Sequence, residues 1–276
     1  MPNQQETPLV TSSREPEFDE TQRAFFRAVL HQLNEREIPY TVSGAFALHH
    51  HTGIWRGIKD LDIFVTAGTV PRALATLDQP CFRQEITDDV WLAKVHCGEF
   101  YADFITGMSN GALAVTPEWI YRGTPSHVLD VPARILAAEE LLVSKLFVVR
   151  RERFDGADIA HILYRTAGRL DWDRIVKLVG DHWELLFWAL VLFRYVYPAQ
   201  SHFVPAPVWA DLTDRFRSGV DAIDPLARFR GSLVDEHMFA IDVHEWGMDD
   251  LMSESRARAR KIHADAASSL RDSSGE

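Results

Sequence analysis

Apolar positions from Thr21 onward recur at three- and four-residue intervals, at Phe25, Phe26, Val29, Leu30 and Leu33. This spacing predicts an amphipathic helix that ends near Ile38-Pro39, with Asp19 or Thr21 as its cap. Tyr40-Thr41-Val42 is a short β-rich run that breaks at Ser43-Gly44 and leads into AFALHHH, which has the composition of a helix start. Gly53 and Gly57 bracket a loop. Then IKDLDIFV alternates apolar and acidic residues before turning fully apolar. The pattern reads as a strand, turn, helix, loop, strand unit.

VPRALATLDQ suggests a further helix, and CFRQEI, VWLAKVHC and EFYADFIT, rich in aromatic and β-branched residues, read as three further strands, with SHVLDV as one more. Beyond Pro132 the period changes. RILAAEELLVSKLFVVRRE, ADIAHILYRTAG, DWDRIVKLVGDH and WELLFWALVLFRYVY all favour helix, so a boundary is placed near residue 130. The expected organisation is a flexible polar tail over residues 1–20, an α/β core over 21–130, a helical domain over 131–255 and a polar tail over 256–276.

Composition narrows the class. Hydrophobic residues make up 46% of the 276 positions and charged residues 25%, which suits a well-packed soluble protein of one large or two modest domains. With 40 acidic side chains against 29 Lys and Arg, the net charge of −11 disfavours broad attraction to nucleic acid or acidic membrane. No stretch reaches the roughly 20 apolar residues of a membrane span, and the N-terminal segment lacks the basic and apolar regions of a secretory signal. Cys81 and Cys97 are too few for a disulfide framework and lack zinc-site spacing, so a reducing cytoplasm is expected.

The chemistry gathers in the strands. Residues two apart on a strand share a face, so Asp60 and Asp62 should project together while Leu61 and Ile63 enter the core. Two like charges held side by side repel unless a cation or strong donors compensate them, and an oxygen-rich site of this kind suits magnesium or manganese. Asp103, in the otherwise apolar strand FYADFIT, needs a partner as well. If its strand lies beside the first in an antiparallel sheet, the three carboxylates form a site for two metals. Such sites serve phosphoryl or nucleotidyl transfer, one ion activating the attacking oxygen and the other holding the triphosphate. Ser43-Gly44, running into a helix N-terminus, offers backbone N–H groups to phosphate oxygens, and Arg56 and Lys59 stand just before the acidic pair as phosphate contacts or counter-charges.

Taken together, Ser43-Gly44, Asp60-Leu61-Asp62 and Ala102-Asp103-Phe104 resemble the signature of the nucleotidyltransferase superfamily with the DNA polymerase β-like fold: a small-residue pair, a helix, Dh[DE] and a later hDh. The segment SGAFALHHHTGIWRGIKDLDIF looks like uncharacterised bacterial nucleotidyltransferases and the related AbiEii-type toxin nucleotidyltransferases. The likeness extends through EELLVSKLFVVRRERFDGADIAHIL and covers residues 24 to 166, with Ser-Gly in place of the usual Gly-Gly or Gly-Ser pair. It implies a nucleotidyltransferase core with a mixed, mainly antiparallel sheet flanked by helices, followed by an α-helical domain. It also implies two-metal transfer of a nucleoside monophosphate from an NTP to an acceptor hydroxyl or phosphate. Asp60, Asp62 and Asp103 would hold Mg2+ or Mn2+, with Asp103 helping to activate the acceptor. Ser43, Gly44, Arg56, Lys59 and Lys145 would contact the nucleotide, and Asp155 and Asp158 would sit near the cleft. The acceptor would be a small hydroxyl compound or an RNA such as a tRNA 3′ end, and an antitoxin partner would accompany a toxin. The alternative is a nucleotide-binding or toxin–antitoxin interaction protein without turnover.

Other signals are read as structural. His49, His50 and His51 are consecutive, point in different directions on a helix and pack rather than bind metal. Asp242 to Glu245, DVHE, lacks the i, i+4 spacing of zinc proteases. Trp183, Phe187, Trp188, Phe193, Tyr195 and Tyr197 lie among Leu and Val and read as helical core. Arg256, Arg258, Arg260 and Lys261 read as a solvated helix.

Overall fold

The computed structural model describes residues 11–12, 17–55, 57–222 and 224–273. The polar tail expected at residues 1–20, and the C-terminal residues 274–276 of the second tail, lie largely or wholly outside them, as does Arg56. Asp19 caps helix α1 (Glu20–Glu35) by accepting a 2.7 Å hydrogen bond from the Gln22 backbone N–H, and the predicted stripe of Phe25, Phe26, Val29, Leu30 and Leu33 is buried. Glu37, in left-handed backbone at φ 51°, turns the chain into the first sheet strand.

The strands are β1 (Thr11–Ser12), β2 (Thr41–Val42), β3 (Ile54–Trp55), β4 (Asp60–Phe64), β5 (Arg83–Asp88), β6 (Leu92–Cys97), β7 (Phe100–Ile105), β8 (Thr124–Val128) and β9 (Val131–Ile135). β1 pairs with β3. The other seven form one sheet in the order β5-β6-β7-β4-β2-β9-β8. Most neighbours are antiparallel, whereas β4–β7 and β2–β9 are parallel. The antiparallel placement of the two aspartate strands is therefore corrected. The chain reaches β7 from β4 by way of a helix and the β5–β6 hairpin, and so long a crossover returns it in the same direction.

The remaining helices are α2 (Gly44–Thr52), α3 (Val70–Thr76), α4 (Pro117–Arg122), α5 (Ala138–Leu146), α6 (Gly156–Thr166), α7 (Trp172–Val179), α8 (Trp183–Val196), α9 (Ala206–Asp221), α10 (Gly231–Val234), α11 (Ala240–His244) and α12 (Leu251–Ser273). α1 lies along β7 and β9, and α5 and α6 pack on α2. One apolar cluster runs continuously from Phe25 to Leu212, through Leu61, Ile63, Phe104, Leu136, Leu142 and Phe193. Each such side chain, when fully buried, contributes about 1.5–3 kcal/mol.

Three local outcomes differ from the sequence reading. Cys81 and Cys97 form a disulfide, because the antiparallel pairing of Arg83 with His96 sets their Cα atoms 5.1 Å apart. Strand β9 was unannounced by its sequence, VPARI, since a proline and an arginine break the alternation. On α8 only part of the aromatic set is core: Phe193 is fully buried, whereas Trp188 is 41% exposed and Tyr195 83%. Among the described residues no helix is long and apolar enough to cross a membrane.

Candidate active site

Strand alternation sends Leu61, Ile63, Ala102 and Phe104 into the core and leaves Asp60, Asp62 and Asp103 on the opposite face. The parallel register then aligns them across strands, Asp62 facing Asp103 and Asp60 facing Tyr101. One oxygen from each of the three carboxylates lies within 4.8 Å of the others, compact enough to converge on a cation. Asp60 and Asp62 are half-buried and Asp103 is buried.

The electrostatics of this face are unfavourable to three bare charges. Burial first, then Asp60 and Asp103, push the Asp62 carboxyl up to about 7. Asp103 is also raised, by burial, against the pull of a neighbouring lysine. Burial and the same three carboxylates raise the Tyr101 hydroxyl. An array of oxygen donors that resists losing its protons is the chemistry a divalent cation relieves.

Ser43 and Gly44 sit against this face. The Ser43 N–H donates to the Asp62 carbonyl at 2.9 Å, which ties the turn to β4 and removes that amide from ligand duty. Gly44 opens α2 with φ at +55°, and its Cα faces the Asp62 carboxylate so closely that any Cβ would collide with it. The N-terminus of α2 is thereby held beside the Asp62 carboxylate.

The basic residues divide. Lys59 is exposed and pairs with Glu99 at 3.1 Å. Lys145 is buried, and its ammonium lies 2.8 Å from Asp155 and 2.7 Å from Asp158, so these three sequence candidates come together as one ion cluster. Two residues escaped the sequence reading. Arg153 grips Asp155 through two contacts of 3.1 and 3.2 Å. Burial lowers its guanidinium, but Asp155, and beyond it Asp62 and Asp60, hold it above its ordinary value, so it belongs to the field of the carboxylate site. Lys94 on β6 stands directly opposite Asp103, with its ammonium 2.6 and 2.8 Å from the two carboxylate oxygens. Only strand register, invisible in the sequence, reveals that pairing.

The histidines pack. The His51 ring meets the Leu136 carbonyl at 2.8 Å, and His49 lies edge-on to Trp55. Arg256 and Arg260 of α12 do not face solvent alone: they pair with Asp88, the last residue of β5, and with Asp89 in the turn after it.

No protein-family model matches the chain, and no curated protein matches it. Among solved structures, it is similar to the antibiotic-resistance factor ANT(2″)-Ia, at 16% identity over 67% of this chain and 97% of that one, with a TM-score of 0.40. It is also similar to an antigenic nucleotidyltransferase-like protein from Paracoccidioides brasiliensis, at 14% identity over 68% and 94% of the two chains, TM-score 0.41. JHP933 from Helicobacter pylori aligns over 94% of this chain and 97% of its own, at 12% identity and a TM-score of 0.36. At these values function is read from the residues of the site rather than from the likeness.

Proposed function

We propose that the protein transfers a nucleoside monophosphate from an NTP to an acceptor hydroxyl, in a reaction that depends on magnesium or manganese. The observation that carries this is the convergence of Asp60, Asp62 and Asp103 on one sheet face beside the N-terminus of α2. The donor set fits a hard divalent cation: all ligand atoms are carboxylate oxygens, and Asp62 is held near a pKa of about 7 by burial and its neighbours. Once bound, such an ion would offset charge on the triphosphate and on the leaving pyrophosphate.

The chain's own residues do the rest. Asp60 and Asp62 would hold the cation, and Gly44 makes room for the Asp62 carboxylate beside the N-terminus of α2, whose first-turn amides would receive the triphosphate. Arg153 and, at the rim, Lys59 supply positive charge for phosphate oxygens, a role the sequence also assigns to Arg56, while Lys145 with Asp155 and Asp158 braces the loop that carries Arg153. The acceptor oxygen attacks the α-phosphorus, the bond from that phosphorus to the bridging oxygen breaks, and pyrophosphate leaves. Asp103 takes up the proton released by the acceptor.

The net charge of −11 favours a small hydroxyl compound over a long RNA as acceptor. The test incubates purified protein with each α-labelled NTP and magnesium, alone and with total tRNA or a metabolite pool. Label on an acceptor that requires both Asp60 and Asp62 is the expected result. Clear NTP binding with no labelled product in any pool would instead make it a nucleotide-binding protein without turnover.

A further inference from the structure

Two rows of side chains cross the sheet at the site. In the first, Lys94 on β6, Asp103 on β7 and Asp62 on β4 are consecutive register partners. In the second, His96, Tyr101 and Asp60 are aligned in the same way. Because partners in register share a face, both rows look toward the proposed nucleotide. The carboxylate cluster therefore has a built-in cation at its end.

The Lys94 ammonium is held, not free. It lies 2.6 Å from one oxygen of Asp103 and 2.8 Å from the other, so it spans the carboxylate in the way a chelated ion would. The Tyr101 ring centroid is 4.2 Å from the same nitrogen, and this contact pins the ammonium from a second side. Both partners are largely withdrawn from water, with 18% and 11% of their side chains exposed, so the pair is screened far less than a surface ion pair. Among the described residues the ammonium of Lys94 pairs with Asp103 and not with Asp62, its other row partner, and no ion pair holds Asp60.

We propose that Lys94 takes the place of the second cation, so that the site binds one divalent ion, on Asp60 and Asp62, while Asp103 stays paired with the lysine. This rests on the nucleotidyl-transfer reading and narrows its metal requirement. A fixed ammonium supplies one unit of positive charge beside the acceptor without the need to recruit an ion there, and it keeps Asp103 oriented toward the acceptor oxygen.

The experiment counts Mn2+ by electron paramagnetic resonance on the full chain, in the presence of an NTP analogue with a methylene bridge between the α and β phosphates. Wild type is expected to bind one Mn2+ per chain. Asp103→Asn is expected to leave that count and the affinity within about threefold, because a residue paired with lysine is not a ligand, whereas Asp60→Asn weakens binding by at least about tenfold. Lys94→Met, which frees Asp103, is expected to bind a second Mn2+, and Lys94→Arg to restore a count of one. Two ions on wild type, or loss of affinity in Asp103→Asn equal to that in Asp60→Asn, overturns the proposal and leaves nucleotidyl transfer standing. Absence of any Mn2+ on wild type overturns the metal-dependent reading itself. Circular dichroism of each variant confirms that it is folded, and the Asp103→Asn count decides the matter if Lys94→Met is not.

Discussion

Gly44 and Asp62 are fitted to each other: a Cβ added at residue 44 would fall inside the Asp62 carboxylate and only 3.0 Å from its Cβ. Gly44→Ala therefore carries two penalties. The left-handed backbone costs about 1–2 kcal/mol for a residue with a side chain, and the Asp62 carboxylate must swing away from Asp60 and Asp103. Turnover is expected to fall by about 100-fold or more, since a displacement of this order misplaces the bound ion. Measured kcat and a thermal melt separate the two penalties, and the loss of rate should be much the larger.

The second expectation concerns pH without metal. In the folded chain burial, then Asp60 and Asp103, raise the Asp62 carboxyl to about 7, against an ordinary value near 3.8. The folded state thus binds this proton more tightly than the unfolded state does, so the stability it contributes is fully present below about pH 4 and is lost as pH rises through about 7. With a chelator present, the wild-type melting temperature should drop between pH 5 and pH 8, and Asp62→Asn should remove this part of the drop. Magnesium should restore the wild type at pH 8 and leave Asp62→Asn unchanged.

Lys145 gives a contrasting case. Its ammonium is shared by Asp155 and Asp158 in a buried cluster. Lys145→Met leaves those carboxylates without it, which costs about 3–5 kcal/mol in urea unfolding. Lys145→Met combined with Asp158→Asn should cost less than Lys145→Met alone. If the single variant keeps wild-type stability, Lys145 is not the brace described above.

The β4 pair was legible because strand alternation needs only the local order of Asp60, Leu61, Asp62 and Ile63. The cap at Asp19 and the stripe of α1 were legible for the same reason. What the sequence withheld is long-range. That β4 and β7 run parallel depends on two strands inserted between them, and that Lys94 meets Asp103 depends on the β6–β7 register. The Cys81–Cys97 bond likewise follows from the β5–β6 pairing and not from cysteine spacing. Arg153 lies in the same segment as Lys145 but outside helix α5, so no periodicity singles it out, and only its contact with Asp155 in the fold does.

The C-terminal helix supplies a fourth expectation. Arg256 donates to both Asp88 oxygens at 3.0 and 2.9 Å and to the Ser109 carbonyl at 2.6 Å, so it ties the end of β5 to the loop after β7 from a position far along the chain. Beside it Gly111 packs against the α12 backbone, where a Cβ would sit only 2.9 Å from Arg256 N. Arg256→Ala should lower stability by about 1–3 kcal/mol, because charged and carbonyl partners lose a half-buried donor. Equilibrium unfolding in urea measures it, and an unchanged midpoint would show that α12 does not hold these segments.

The most direct test of nucleotidyl transfer follows the phosphates of one NTP in parallel reactions, labelled at the α position in one and at the γ position in the other, with magnesium and an acceptor pool. The predicted result is α label on the acceptor and γ label in pyrophosphate, in equal amounts, both abolished by Asp60→Ala/Asp62→Ala. Appearance of γ label on the acceptor, with α label retained in a nucleoside diphosphate, would contradict it and make the protein a phosphoryl transferase.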